Sequence, residues 1–120
     1  MTQMKLNHLN LAVNDVQGTQ TFLEKYFGLK AMAGMPGNEA ISLLFDANGM
    51  VLTLMKNGEQ DVKYPGTFHI GFIQESEEKV NEINQRLKDD GFDVNAPRHF
   101  HGSWTFYLQS PGGFLVEVLH

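Results

Sequence analysis

From Leu6 to Val13 the chain alternates. Leu6, His8, Asn10 and Ala12 fall on one side, and Asn7, Leu9, Leu11 and Val13 on the other. A period of two is that of a strand. The pattern then lengthens. Val16, Phe22, Leu23, Tyr26 and Phe27 fall on one face of a helix, with Asn14-Asp15 as its cap and Gly28 as its stop. Extended segments are expected around Leu29–Met32, Ala40–Phe45 and Met50–Met55, with Asn48-Gly49 marking a tight hairpin between the last two.

A polar stretch from Asn57 to Pro65 separates this run from a second one of the same order. Thr67–Ile73 reads as a strand. Glu75-Ser76 caps a helix whose apolar face is Val80, Ile83 and Leu87, and Gly91 ends it. Phe92–Val94, Arg98–His101 and Trp104–Gln109 are expected to be extended. Ser110-Pro111-Gly112-Gly113 is a turn, and Phe114–Leu119 a closing apolar strand. Two tandem βαβββ modules, about 4–57 and 64–120, make an α+β fold within a single domain spanning residues 1–120. Its mostly antiparallel sheet curls, with helices on the outer face.

The repeat lays His8 over His69, Gly28 over Gly91 and Gly49 over Gly113 at nearly constant spacing. Thr53 then falls on Glu117, and Met50–Met55 on Phe114–Leu119. A carboxylate within such an apolar strand must face water, find hydrogen-bond donors or meet a cation. Each histidine alone reads more readily as a structural residue than as a ligand, and Glu117 alone as a solvent-facing edge residue. Taken with the repeat, His8, His69 and Glu117 form a candidate divalent-metal site. Two imidazoles and one carboxylate with open positions suit Fe, Mn, Zn or Ni.

Composition narrows the function classes. Nine basic and fourteen acidic residues leave a net charge of −5, the wrong sign for a phosphate-binding surface. There is no cysteine, which excludes thiol chemistry and disulfides. No apolar run is long enough to cross a bilayer, and the first residues lack the apolar centre of a signal peptide. A cytoplasmic protein is expected. His99 and His101 form an HxH pair that on a strand would share a face. They read as a second ligand pair, as a proton-transfer group at a pocket mouth, or as surface histidines, with His101 the candidate for catalysis. Met32, Met35, Phe45, Trp104 and Tyr107 are candidates for a substrate-binding wall, with Thr53 beside them.

The opening Leu6-Asn7-His8-Leu9-Asn10-Leu11-Ala12-Val13-Asn14-Asp15, the helix Thr21–Leu29 and the closing Phe106–Glu117 segment together resemble the vicinal oxygen chelate superfamily. That superfamily holds glyoxalases, bleomycin-resistance proteins and extradiol dioxygenases. The resemblance covers essentially the whole chain and is more specific for fold than for reaction. It implies His8, His69 and Glu117 as ligands of a divalent metal, a homodimer in which one site can draw on both chains, and a small oxygen-containing substrate. It implies lyase, transferase or dioxygenase chemistry by stabilisation of oxyanion charge. Glyoxalase I commonly has Glu where this chain has Thr53, a weak neutral ligand, which counts against that activity. The alternatives are a metal-independent protein that sequesters an aromatic or drug-like molecule at a dimer interface, and an interaction domain with vestigial metal residues.

Overall fold

A computed structural model describes residues 2–58 and 60–120. The chain divides into two compact units, Met1–Lys63 with Pro111–Gly113, and Tyr64–Ser110 with Phe114–His120. Each contains one four-stranded mixed sheet and one helix, in the order βαβββ.

In the first unit, β1 (His8–Val13) leads into α1 (Val16–Phe27), followed by β2 (Lys30–Ala31), β3 (Ile41–Phe45) and β4 (Val51–Lys56). The sheet order is β1-β4-β3-β2, with β1 parallel to β4 and the other pairs antiparallel. Asp15 caps α1, its carboxylate accepting from the Gly18 amide at 2.9 Å. The expected apolar face is present. Val16, Phe22, Leu23 and Tyr26 are buried, Phe27 is half-buried, and Thr19 joins the core by donating its hydroxyl to the Asp15 carbonyl. Leu11, Val13, Leu44, Leu52 and Leu54 complete that core. The loop at Asn48-Gly49 is longer than a two-residue hairpin. It runs from Asp46 to Met50, and the Asp46 carboxylate accepts from the amides of both Asn48 and Met50.

In the second unit, β5 (His69–Ile73) leads into α2 (Glu77–Asp89), followed by β6 (Arg98–Phe100), β7 (Ser103–Gln109) and β8 (Leu115–Leu119). The order is β5-β8-β7-β6, again with one parallel pair, β5 with β8. Ser76 caps α2, and Val80, Ile83 and Leu87 are buried with Phe106, Leu108, Phe114, Val116 and Val118.

Two extended segments differ from the sequence pattern. Phe92–Val94 is not a strand; the second strand of this module is β6. The Phe92 amide donates to the Leu87 carbonyl and the Gly91 amide to that of Lys88, with Gly91 at φ 92. This is a Schellman closure, so Phe92 is apolar because it seals a helix end. His101 likewise lies outside β6. Phe100 pairs with Ser103, and the two residues between them, His101 and Gly102, have φ of 42 and 84. Positive φ at both central positions is what a two-residue hairpin between right-twisted strands requires.

The repeat holds at the level of register. On β1 and β4, His8 lies opposite Val51, and Asn10 opposite Thr53. On β5 and β8, His69 lies opposite Leu115, and Gly71 opposite Glu117. Thr53 and Glu117 therefore occupy equivalent places, each two residues beyond the partner of a histidine.

Candidate metal and proton-transfer site

Alternation along β7 sorts its side chains. Trp104 faces α2, donating its indole N–H to Asn81 Oδ1 at 2.9 Å. Thr105 and Tyr107 therefore face the other way, and Tyr107 lies directly opposite Glu117 on β8. The parallel neighbour β5 adds His69 to the same face.

Four side chains meet the Glu117 carboxylate there. Thr105 Oγ1 is 2.7 Å from Oε2, His101 Nε2 is 2.8 Å from Oε2, and His69 Nε2 is 3.3 Å from Oε1. The Tyr107 hydroxyl is 3.0 Å from His101 Nε2 and hydrogen-bonds Glu117. The Glu117 side chain is only 7% exposed, against 37% for His69 and 39% for His101. Burial alone would raise the Glu117 pKa. The hydrogen bonds from Thr105, Tyr107 and His101, with the charge of His101, outweigh it and hold the carboxyl below its ordinary value. Tyr107 moves upward, through burial first and then through its hydrogen bond and proximity to the Glu117 charge.

The tautomer of His69 follows from its other nitrogen. Nδ1 is 3.0 Å from the Thr67 carbonyl oxygen, which can only accept, so Nδ1 carries the proton. In the neutral ring, Nε2 then presents a lone pair to Glu117 Oε1. Two acceptors face each other, a pairing that needs a shared proton or a cation. Two ligands at about 2.0–2.2 Å from one ion lie about 3–3.5 Å apart at octahedral to tetrahedral angles. The 3.3 Å gap between His69 and Glu117 fits that separation. A backbone carbonyl on the far nitrogen is also how ligating histidines are commonly oriented.

His8 belongs to the first unit. It sits exposed on β1, with Nδ1 2.9 Å from Asn7 Oδ1, which leaves Nε2 open. Among the described residues, no three His, Cys, Asp or Glu groups converge in a way that could hold a metal ion. The structure thus brings together His69, Glu117, His101 and Tyr107. Thr53 and Phe45 are half-buried on the first unit's sheet. Met35 lies in the loop between β2 and β3, beside a hollow of about 230 Å³ lined also by Ile41 and Leu43. Trp104 is on the helix side of its sheet, away from Tyr107. His99 and His101 do not share a face: His99 packs edge-on against Trp104, with centroids 4.9 Å apart, while His101 turns to Glu117. Thr105 went unnoticed in the sequence, although alternation from Glu117's partner Tyr107 would have placed its hydroxyl on the same face.

A family model for the glyoxalase/bleomycin resistance protein/dioxygenase superfamily matches residues 5–118. The chain belongs to this superfamily. A solved structure described as a possible glyoxalase from Bacillus cereus is 51% identical, with a TM-score of 0.87 over 98% of this chain and 100% of that one. Lactoylglutathione lyase from Agrobacterium tumefaciens is 21% identical, with a TM-score of 0.74 over 99% of this chain and 95% of that one. The fosfomycin resistance protein FosX from Listeria monocytogenes is 24% identical, with a TM-score of 0.76 over 98% and 91%. These last two show likeness of fold. No curated protein matches the chain. No helix among the described residues is long and apolar enough to cross a membrane.

Proposed function

We propose that the protein is a divalent-metal-dependent enzyme acting on a small oxygen-containing molecule, with His8, His69 and Glu117 as the metal ligands. The observation that carries this reading is the pair His69 Nε2 and Glu117 Oε1, 3.3 Å apart, with the carboxylate buried and held ionised. His8, on β1, is the third ligand, and in a homodimer one site can draw on both chains. A metal bound there would supply electrophilic stabilisation of oxyanion charge on the substrate. The chain's own groups do the rest. His101, partly exposed and beside Tyr107, is the proton-transfer residue, and the hydroxyl of Tyr107 orients the group to which the proton moves. Known structures of similar fold include a lactoylglutathione lyase and a fosfomycin resistance protein, so lyase chemistry has precedent on this scaffold. Thr53, where glyoxalase I commonly has Glu, stands against that particular reaction.

One observation favours a second reading, metal-independent sequestration of an aromatic molecule between two subunits. The first sheet's face bearing Thr53 also carries Leu43, Phe45, Val51 and the exposed Met55, a surface suited to a flat apolar ligand. Elemental analysis of untagged protein separates the two. Near-stoichiometric metal, lost in His69→Ala, is the expected result. Metal-free protein that binds an aromatic dye tightly would overturn the enzyme reading in favour of sequestration.

A further inference from the structure

The two oxygens of Glu117 have different surroundings. Oε1 is 3.3 Å from His69 Nε2, whereas Oε2 accepts from Thr105 Oγ1 at 2.7 Å and His101 Nε2 at 2.8 Å, and the Tyr107 hydroxyl also hydrogen-bonds the carboxylate. Thr105 is 1% exposed, so no water competes freely for its hydroxyl. That hydroxyl has one proton and two acceptors within reach, Glu117 Oε2 and the Val118 carbonyl at 3.1 Å. The shorter contact to a charged oxygen takes it, because a charge-assisted bond is the stronger.

We propose that Thr105 is a positioning residue for Glu117. Its buried hydroxyl reserves Oε2 for hydrogen bonding, so that Glu117 offers a single oxygen, Oε1, to an ion shared with His69. The inference deepens the metal reading above and rests on it. A carboxylate free at both oxygens is able to chelate through both, and then occupies two positions on the ion. A carboxylate tied at Oε2 occupies one, and the position thus left open is available to a substrate oxygen. The backbone fixes this arrangement. Thr105 is the cross-strand partner of Leu119, one step along the β7–β8 ladder from the Phe106–Val118 pair. It thus reaches Glu117 diagonally, from a strand that α2 holds in place through Trp104 and Asn81. The role belongs to the hydroxyl rather than to the volume of the side chain. Valine at 105 keeps the shape and loses the donor; serine keeps the donor and loses a methyl group.

The test is a Co(II) titration of untagged wild type, Thr105→Val and Thr105→Ser, read by visible d–d absorption. Band intensity falls as coordination number rises, so it reports whether Glu117 binds through one oxygen or two. Wild type and Thr105→Ser are expected to share one spectrum and affinity. Thr105→Val is expected to bind about 10- to 100-fold more weakly, with a weaker band. If Thr105→Val does not fold, as judged by circular dichroism, Thr105→Ala is read against Thr105→Ser in the same way. An unchanged spectrum and affinity in a folded variant lacking the hydroxyl overturns the positioning role and leaves the metal reading standing. Wild type that takes up no Co(II) overturns both.

Discussion

His69 and Glu117 stand with Nε2 and Oε1 3.3 Å apart, and the Thr67 carbonyl holds the imidazole proton on the opposite nitrogen. A buried carboxylate and an imidazole nitrogen aimed at each other at this spacing call for a positive charge between them, a proton or a cation. The register explains how they meet: β5 and β8 are parallel neighbours, with Gly71 opposite Glu117, so His69 is a diagonal neighbour on the same face. Gly71, with no side chain, leaves that diagonal open.

The ionised state of Glu117 makes stability depend on acid. Its folded pKa lies below the ordinary value of 4.5, so the folded state binds its proton less readily than the unfolded chain. The resulting stabilisation is present above about pH 4.5 and is lost as pH falls through the lower folded value. In chelator-treated protein, the melting temperature of wild type should fall more steeply below pH 4.5 than that of Glu117→Gln. Parallel pH profiles for the two would show that Glu117 is not held ionised.

Tyr107 moves the other way. Burial and the neighbouring carboxylate disfavour its phenolate. In an ultraviolet titration, Tyr107→Phe should remove a component that ionises at higher pH than an ordinary tyrosine. The same variant should lower catalytic turnover if the phenol orients the group that exchanges a proton with His101.

Helix α1 depends on its N-terminal cap, Asp15. Asp15→Ala removes the carboxylate that accepts from Gly18, and should destabilise the protein by about 1 kcal/mol in denaturant melts. Asp15→Asn, which keeps an acceptor at the same position, should restore most of that loss.

Most of the architecture was legible because its signals are local. The alternation around Leu11 and Val13, the caps Asp15 and Ser76, and the helix spacing of Val80, Ile83 and Leu87 each act within a few residues. What misled was apolar character with a different cause. Phe92 looked like part of a strand because it is apolar, yet it closes the end of α2. His99 and His101 looked like one face until the hairpin turn at His101 and Gly102 sent them apart. At the candidate site, the repeat drew attention to His69 and Glu117, and the structure gives their contact. Thr105 was harder to see: a threonine in a strand is ordinary, and its importance lies in which atom of Glu117 it reaches. His8 is matched to His69 by its register in the repeat.

In the proposed metal centre one ion is shared by His69 Nε2 and Glu117 Oε1. Diffraction from crystals of untagged protein grown with Mn(II) or Zn(II), recorded at the metal's absorption edge, tests it directly. An anomalous peak about 2.0–2.2 Å from both atoms is expected, with a His8 side chain at similar distance. A peak bound elsewhere on the protein, or none in the presence of excess metal, would contradict it.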